Sequence, residues 1–173
     1  MTARQNINSD SGRISMKLKG LIDEDLANYK YPSMFLITTK CSFKCDAECG
    51  RAVCQNLPLA TAPVMEVEDN LLVKRYIDNK ISKAVVIGGL EPFDDWYELY
   101  SFILTFRDSC PDDIVIYTGY YEHEIQPYID RLKEDFANII IKFGRFIPDQ
   151  EPHYDEVLGV KLASDNQKGV RIC

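Results

Sequence analysis

Four short apolar runs, separated by stretches of helical spacing, constrain the fold of this chain more than any other feature. The runs lie at residues 33–39, 84–87, 114–117 and 139–141. Between them, apolar residues recur every three or four positions over residues 66–79, 94–109 and 125–136. Such recurrence is typical of amphipathic helices. Strands that alternate with helices and are apolar throughout indicate a parallel sheet with right-handed crossovers.

The chain length decides how much of a barrel such units could form. A closed eight-fold β/α barrel takes about 250 residues, whereas this chain has 173. We therefore predict an α/β fold, a partial (open) β/α barrel of about five to six mostly parallel strands. Residues 157–163 are the predicted fifth strand, and residues 170–172 a short sixth one.

The start of the chain carries no such pattern. Residues 1–19 are polar and without periodicity, so we predict a disordered N-terminal segment there. Residues 20–31 read as a short polar helix or loop. A single domain is predicted over residues 20–173, since this length buries enough surface to be stable without disulfides.

Charge and hydropathy exclude some partners and indicate a compartment. The net charge of −7 argues against nucleic acid, which requires a positive face. No apolar run approaches the roughly 20 residues that cross a membrane. The polar start also lacks the apolar core of a signal peptide, so we expect a cytoplasmic protein. Thiols are kept reduced there, so that closely spaced cysteines indicate metal binding or catalysis.

The cysteines concentrate in one loop. Four of the six, Cys41, Cys45, Cys49 and Cys54, directly follow the first predicted strand. Soft thiolates select iron–sulfur clusters, zinc or copper. Three outcomes compete: a structural zinc site, a cluster closed by four cysteines, and a 4Fe–4S cluster held by three with one iron left open. Structural zinc sites usually use C-x2-C pairs, which this loop lacks.

Other unusual residues follow the next strands and should lie at the same edge of the sheet. The carboxyl ends of parallel strands collect function. Gly88 and Gly89 end the second strand and allow a ligand close to the backbone. Glu91 follows as a carboxylate suited to an ammonium group. Alone, this turn would be explained by a tight strand-to-helix connection. Residues 118–120 and 142–145 end the third and fourth strands.

These residues together resemble a known superfamily. Cys41 and Cys45 have the C-x3-C spacing that begins the signature of radical S-adenosylmethionine enzymes. The chain more narrowly resembles the activating proteins of anaerobic (class III) ribonucleotide reductase. The similar segments are residues 54–56 (Cys-Gln-Asn), 88–92, 117–120 and 164–167. Two departures stand out: eight residues instead of two separate Cys45 from Cys54, and Leu90 is inserted into the glycine–acid turn.

The resemblance implies a ligand set. Cys41, Cys45 and Cys54 would hold a 4Fe–4S cluster, with Cys49 as the alternative ligand. The competing triple of Cys41, Cys45 and Cys49 keeps the loop shorter but loses the Cys-x-Asn match. The implied S-adenosylmethionine site consists of Gly88, Gly89, Glu91, Asn56, Tyr117 and Thr118.

The resemblance also implies an activity. The enzyme would cleave S-adenosylmethionine reductively to a 5′-deoxyadenosyl radical and install a glycyl radical on a partner, the large anaerobic ribonucleotide reductase. A reduced flavodoxin or a ferredoxin-like protein would supply the electron. Two alternatives remain: a radical enzyme that acts on a small molecule or peptide, and a non-enzymatic iron–sulfur or zinc module.

Overall fold

A mostly parallel sheet organises the computed structural model, which describes residues 14–173. The strands are β1 (Ser15–Leu18), β2 (Gly20–Asp25), β3 (Ser33–Ile37), β4 (Met65–Glu68), β5 (Ala84–Gly88), β6 (Asp113–Tyr117), β7 (Ile139–Phe143), β8 (His153–Asp155), β9 (Val160–Leu162) and β10 (Lys168–Arg171). The helices are α1 (Lys44–Cys49), α2 (Leu57–Ala60), α3 (Asp69–Asp78), α4 (Trp96–Arg107) and α5 (Gln126–Asp135). Short 3-10 turns lie at Pro92–Asp95 and Glu122–Glu124.

The central sheet has six strands within the described residues, in the order β10-β7-β6-β5-β3-β2. The inner strands β3, β5, β6 and β7 run parallel and are neighbours in chain order. The edge strands β2 and β10 pair antiparallel with β3 and β7. The loops that follow the four parallel strands therefore meet at one edge, as the sequence predicted.

The two faces of the sheet bury different partners because strand side chains alternate. One face packs on α3, α4 and α5 through Val85, Ile87, Ile114, Ile116, Ile139 and Ile141. The other face packs on the β8–β9 segment and the segment after β2 through Ala84, Val86, Val115 and Ile140. Burial on both faces explains why these strands are apolar throughout.

The helices lie close to their predicted positions in the sequence. α3 begins at Asp69 instead of Glu66 because residues 65–68 form β4. Pro127 lies in the first turn of α5, where its missing N–H has no partner to lose. The α/β class and the mostly parallel sheet are confirmed. The partial-barrel description and the single domain over residues 20–173 stay predictions.

The N-terminal predictions need correction. Residues 15–18 form β1, which pairs antiparallel with β4, so disorder over residues 1–19 is wrong there. The polar neighbours masked an alternating pattern in which Met16 and Leu18 are buried. Residues 20–25 form β2 instead of a helix or loop. Residues 1–13 lie outside the described part of the chain.

The C-terminal strands also differ from the prediction. Val160–Leu162 pairs with β8 in a separate two-stranded sheet and does not join the central one. β10 does join it, but runs antiparallel at its edge. Within residues 14–173, no helix is both long enough and apolar enough to cross a bilayer.

Candidate metal centre

A cavity of about 460 Å³ lies at the carboxyl ends of the parallel strands. The cysteine loop, the turn after β5, the loop after β6 and the end of β7 line it, and β9 contributes to its wall. Of the four loop cysteines, Cys41, Cys45 and Cys54 line this cavity. Cys49, the last residue of α1, is not part of the lining.

Cys54 is close enough to the other two cavity thiols to influence their pKa values. The pKa of Cys41 is raised to about 12, mainly by burial and with a smaller contribution from the nearby Cys54. Burial also raises the pKa of Cys45, again with a contribution from Cys54. A buried thiol of this kind needs a cationic partner to become a thiolate ligand. A bound metal supplies that charge.

The loop between Cys45 and Cys54 is closed by a side chain. Asp46 Oδ1 accepts hydrogen bonds from the backbone N–H of Val53 (2.7 Å) and of Cys54 (2.8 Å). Gly50, with φ of 64°, ends α1 in a left-handed conformation that suits glycine. The chain thereby turns back, and Cys54 reaches the cavity that Cys45 lines.

An arginine after β7 forms an ion pair with α1. α1 has no buried residue, but its Glu48 lies 3.0 Å from Arg145 Nε. Arg145, only 5% exposed, also donates two hydrogen bonds to Glu124, at 2.8 and 2.6 Å. These bonds lower the pKa of Glu124 to about 2. The ion pair between Glu48 and Arg145 therefore helps to position the helix that carries Cys45.

Glu91 is a buried carboxylate at the cavity wall. Its Oε1 accepts from Thr118 Oγ1 (2.8 Å) and Phe93 N (3.2 Å), and its Oε2 accepts from Gly119 N (2.9 Å). Burial raises its pKa to about 7 even so. The side chain thus ties the turn after β5 to the loop after β6, besides facing the cavity.

The two glycines of this turn have different roles. A Cβ on Gly88 would lie 2.8 Å from Tyr117 Cβ, so Gly88 serves strand packing. Gly89 has φ of 85°, and a Cβ there would lie 2.6 Å from Ile37 Cγ2. Only Gly89 belongs to the cavity lining. The close approach that the sequence predicted for a ligand is, at Gly88, an approach of two strands.

The other predicted binding residues also line the cavity. Thr118 is buried and its hydroxyl donates to Glu91, while Asn56 is exposed at the start of α2. Tyr117 donates its hydroxyl proton to Asn28 O at 2.6 Å. The structure therefore brings Asn56, Gly89, Glu91, Tyr117 and Thr118 to one cavity with the three thiols. Their roles as ligands stay predictions.

Sequence reasoning missed Lys142 as an individual site residue. It lines the cavity at the end of β7 and is 7% exposed, with Nζ donating to Gly144 O at 2.8 Å. Burial lowers its pKa to about 8, against the favourable charges of Glu91 and Cys45. A lysine inside the apolar run Ile-Ile-Ile-Lys-Phe was the available signal, because charged residues are rarely buried without a partner.

The donor set fits an iron–sulfur cluster, which takes thiolate ligands from cysteine. Within residues 14–173, no three Cys, His, Asp or Glu side chains converge as ligands of a single metal ion. Cubane ligands bind separate irons and need not converge in this way. The fold and this cavity thus define an α/β protein with a thiol-lined site for a cluster.

Comparison with known families agrees with that class. A family model described as a 4Fe-4S single cluster domain matches residues 33–167, most of the chain. The chain belongs to this family, a domain found in iron–sulfur proteins of the radical S-adenosylmethionine type. Comparison with curated proteins and with solved structures gives no match to either.

Proposed function

We propose that this protein is a radical S-adenosylmethionine enzyme that activates an anaerobic ribonucleotide reductase by installing a glycyl radical. One observation carries the proposal: three of the four loop cysteines line a cavity and the fourth does not. Three thiolates leave one iron of a cubane without a protein ligand. Such an iron is what S-adenosylmethionine needs in order to bind through its amino and carboxylate groups.

Cys41, Cys45 and Cys54 hold the cluster in this proposal. When bound, the cluster supplies the electron for reductive cleavage of S-adenosylmethionine. Glu91 and Gly89 line the wall where the amino acid part of that ligand is expected. Tyr117, Thr118 and Asn56 complete the cavity around it. A volume of about 460 Å³ lies within the usual range for small-molecule sites.

The protein's own contribution is orientation and exclusion of water. Glu91 and Thr118 are buried and hydrogen-bonded to each other, so this wall is fixed before a ligand arrives. Lys142 adds a buried positive charge near Cys45 and Glu91. We also propose a cytoplasmic location and a flavodoxin- or ferredoxin-like electron donor.

Single Cys→Ala variants, reconstituted anaerobically, test the assignment. We expect the Ala variants of Cys41, Cys45 and Cys54 to lose iron and S-adenosylmethionine cleavage. Cys49→Ala and the control Cys173→Ala should keep both. A Cys54→Ala variant with full activity would refute the proposed ligand set.

The partner requires a separate experiment. The protein, S-adenosylmethionine, a reductant and a candidate reductase are mixed, and the reductase is then examined by electron paramagnetic resonance. A glycyl radical that persists on the reductase backbone supports the activase. Cleavage with modification only of a small molecule or peptide would support another radical enzyme. Iron or zinc binding without cleavage would reduce the function to a metal-binding module.

A further inference from the structure

We infer that Asp46 is the positioning residue that makes Cys54, and not Cys49, the third cluster ligand. This inference deepens the proposed function and rests on its ligand assignment. It concerns the eight-residue segment between Cys45 and Cys54, where the chain departs from the usual C-x3-C-x2-C spacing.

Chain length alone does not bring Cys54 to the cavity. Nine residue steps separate it from Cys45, and an extended chain of that length spans about 30 Å. The intervening residues include the rest of α1, which has no buried side chain, and Gly50 with φ of 64°. Burial of α1 side chains therefore does not determine where the second half of the loop, which leads to Cys54, lies.

Asp46 supplies the missing constraint. It directly follows Cys45, and its Oδ1 accepts from the backbone N–H of Val53 and of Cys54 itself. Both distances, 2.7 and 2.8 Å, are those of charge-assisted hydrogen bonds. One side-chain oxygen of the residue after Cys45 thus holds the backbone of Cys54 and of the residue before it.

The same geometry keeps Cys49 away. Cys49 lies at the end of α1, four residues after Cys45, and is not part of the cavity lining. Glu48, its neighbour, is drawn to Arg145 Nε (3.0 Å) and to the Tyr121 hydroxyl (2.8 Å). With the loop closed, Cys54 faces the cavity. If the loop opens, Cys49 is the nearest remaining thiol in the sequence that could replace it.

The experiment compares cysteine variants in two backgrounds, with iron per chain and resistance to an iron chelator as readouts. In the wild-type background, Cys54→Ala should lose the cluster and Cys49→Ala should not. In the Asp46→Ala background, the cluster should be lost to chelator roughly tenfold faster, because two hydrogen bonds to a charged group are gone. Cys49→Ala should now lower the iron content further.

Controls separate positioning from general stability. Asp46→Asn keeps an oxygen acceptor and should recover most of the chelator resistance. Asp155→Ala removes another carboxylate that accepts two backbone N–H groups, from Leu158 and Gly169, outside the cavity lining. That variant should leave the dependence on Cys49 unchanged.

Several results would overturn the inference. One is wild-type chelator resistance in Asp46→Ala, and another is no effect of Cys49→Ala in that background. Global unfolding of metal-free Asp46→Ala, measured by circular dichroism, would also overturn it, because the role would then not be local. These readouts are independent of catalysis: a wild-type protein that binds iron but cleaves no S-adenosylmethionine refutes the proposed function alone.

Discussion

The buried carboxylates Glu91 and Asp69 differ in how completely hydrogen-bond donors surround them. Glu91 is buried but accepts from Thr118, Phe93 and Gly119. Asp69 is 1% exposed, and its Oδ1 has no hydrogen-bond partner among the described residues. The first side chain connects two loops at the cavity, whereas the second lies at the start of α3 with its charge poorly compensated.

Asp69→Asn should stabilise the metal-free protein at neutral pH. Burial raises the pKa of Asp69 from 3.8 to about 6. The stability that this carboxyl contributes is therefore full below pH 3.8 and lost as the pH rises through 6. Relative to wild type, the Asn variant should gain about 1–2 kcal/mol in free energy of unfolding between pH 4 and pH 7. Urea titrations at several pH values measure this difference.

Asp23→Asn is the matched control, because the pKa of Asp23 is shifted in the opposite direction. The hydrogen bond from Arg75 lowers the pKa of Asp23. Its stabilising contribution is thus present above its unfolded pKa and is lost as the pH falls. Parallel pH profiles for both variants would contradict the roles assigned to these two carboxylates.

Gly89→Ala should destabilise the metal-free protein by about 2 kcal/mol or more. The left-handed φ of 85° disfavours a Cβ, and the added atom would lie 2.6 Å from Ile37 Cγ2. Gly119→Ala is the control, since its Cβ would lie 3.6 Å from Cys45 Sγ. Urea unfolding should separate the two variants. Equal stability would show that Gly89 is retained for ligand approach alone.

Several of the residues that line the cavity could be picked out from the sequence. The thiols could be noticed because four of the six cysteines lie in one loop, and the glycine–acid turn because it directly follows an apolar strand. The hydrogen bonds from Thr118 and Gly119 to Glu91 could not be predicted, because the partners are 27 and 28 residues apart in the sequence. Burial of Lys142 likewise depends on what covers β7.

At the scale of elements, α1 is unusual because none of its side chains is fully buried, while its Glu48 has polar contacts with Arg145 and Tyr121. Its apolar residues are few, and none of its side chains is buried. Arg145 lies beneath Tyr121, 4.5 Å from the ring centroid, and reaches Glu48 of α1. The position of Cys45 over the cavity therefore depends on charged partners.

Glu48→Gln should loosen α1 without unfolding the protein. The variant removes the negative charge that pairs with Arg145, whose side chain is 6% exposed, but keeps the size of the Glu48 side chain. Amide hydrogen exchange of residues 44–49 should become about five- to tenfold faster, which corresponds to about 1 kcal/mol. The thermal midpoint of the metal-free protein should hardly change.

The exposed pair of Lys74 and Asp78 provides the comparison for this experiment. Asp78→Asn breaks an ion pair with both side chains more than 60% exposed, so it should not alter exchange in α3 measurably. If Glu48→Gln behaves in the same way, the anchor proposed for α1 is wrong.

At the scale of the whole molecule, the helices α3, α4 and α5 cover one face of the sheet and short segments cover the other. The smaller apolar cluster on the second face includes Leu158 and Leu162 from the β8–β9 segment. Leu162 and Val160 also line the cavity. The same hairpin therefore protects the sheet and forms part of the cavity wall.

Leu158→Ala should lower the free energy of unfolding by about 2–4 kcal/mol. Leu158 is fully buried, and truncation leaves an unfilled space beside the sheet. Tyr154→Ala, in the same hairpin but 57% exposed, should change it by less than about 0.5 kcal/mol. Similar losses for the two variants in urea titrations would mean that the hairpin is not packed on the sheet.

The sequence predicted the inner strands because burial on both faces leaves an uninterrupted apolar run. β1 and β2 were missed since each buries only part of its side chains and their partners are β4 and β3. The hairpin position of Val160–Leu162 was missed for a related reason: a three-residue strand carries no signal for its neighbour.

The closure of the cysteine loop by Asp46 has a consequence for how such chains are recognised. Metal-binding patterns are usually written as fixed intervals between ligands, which assumes that the intervening backbone takes the shortest path. A carboxylate that holds the two ends of an insertion together lets two ligands lie close in space although many residues separate them. Searches that allow variable intervals, provided that an acceptor side chain follows the first ligand, would detect centres of this kind that rigid patterns overlook.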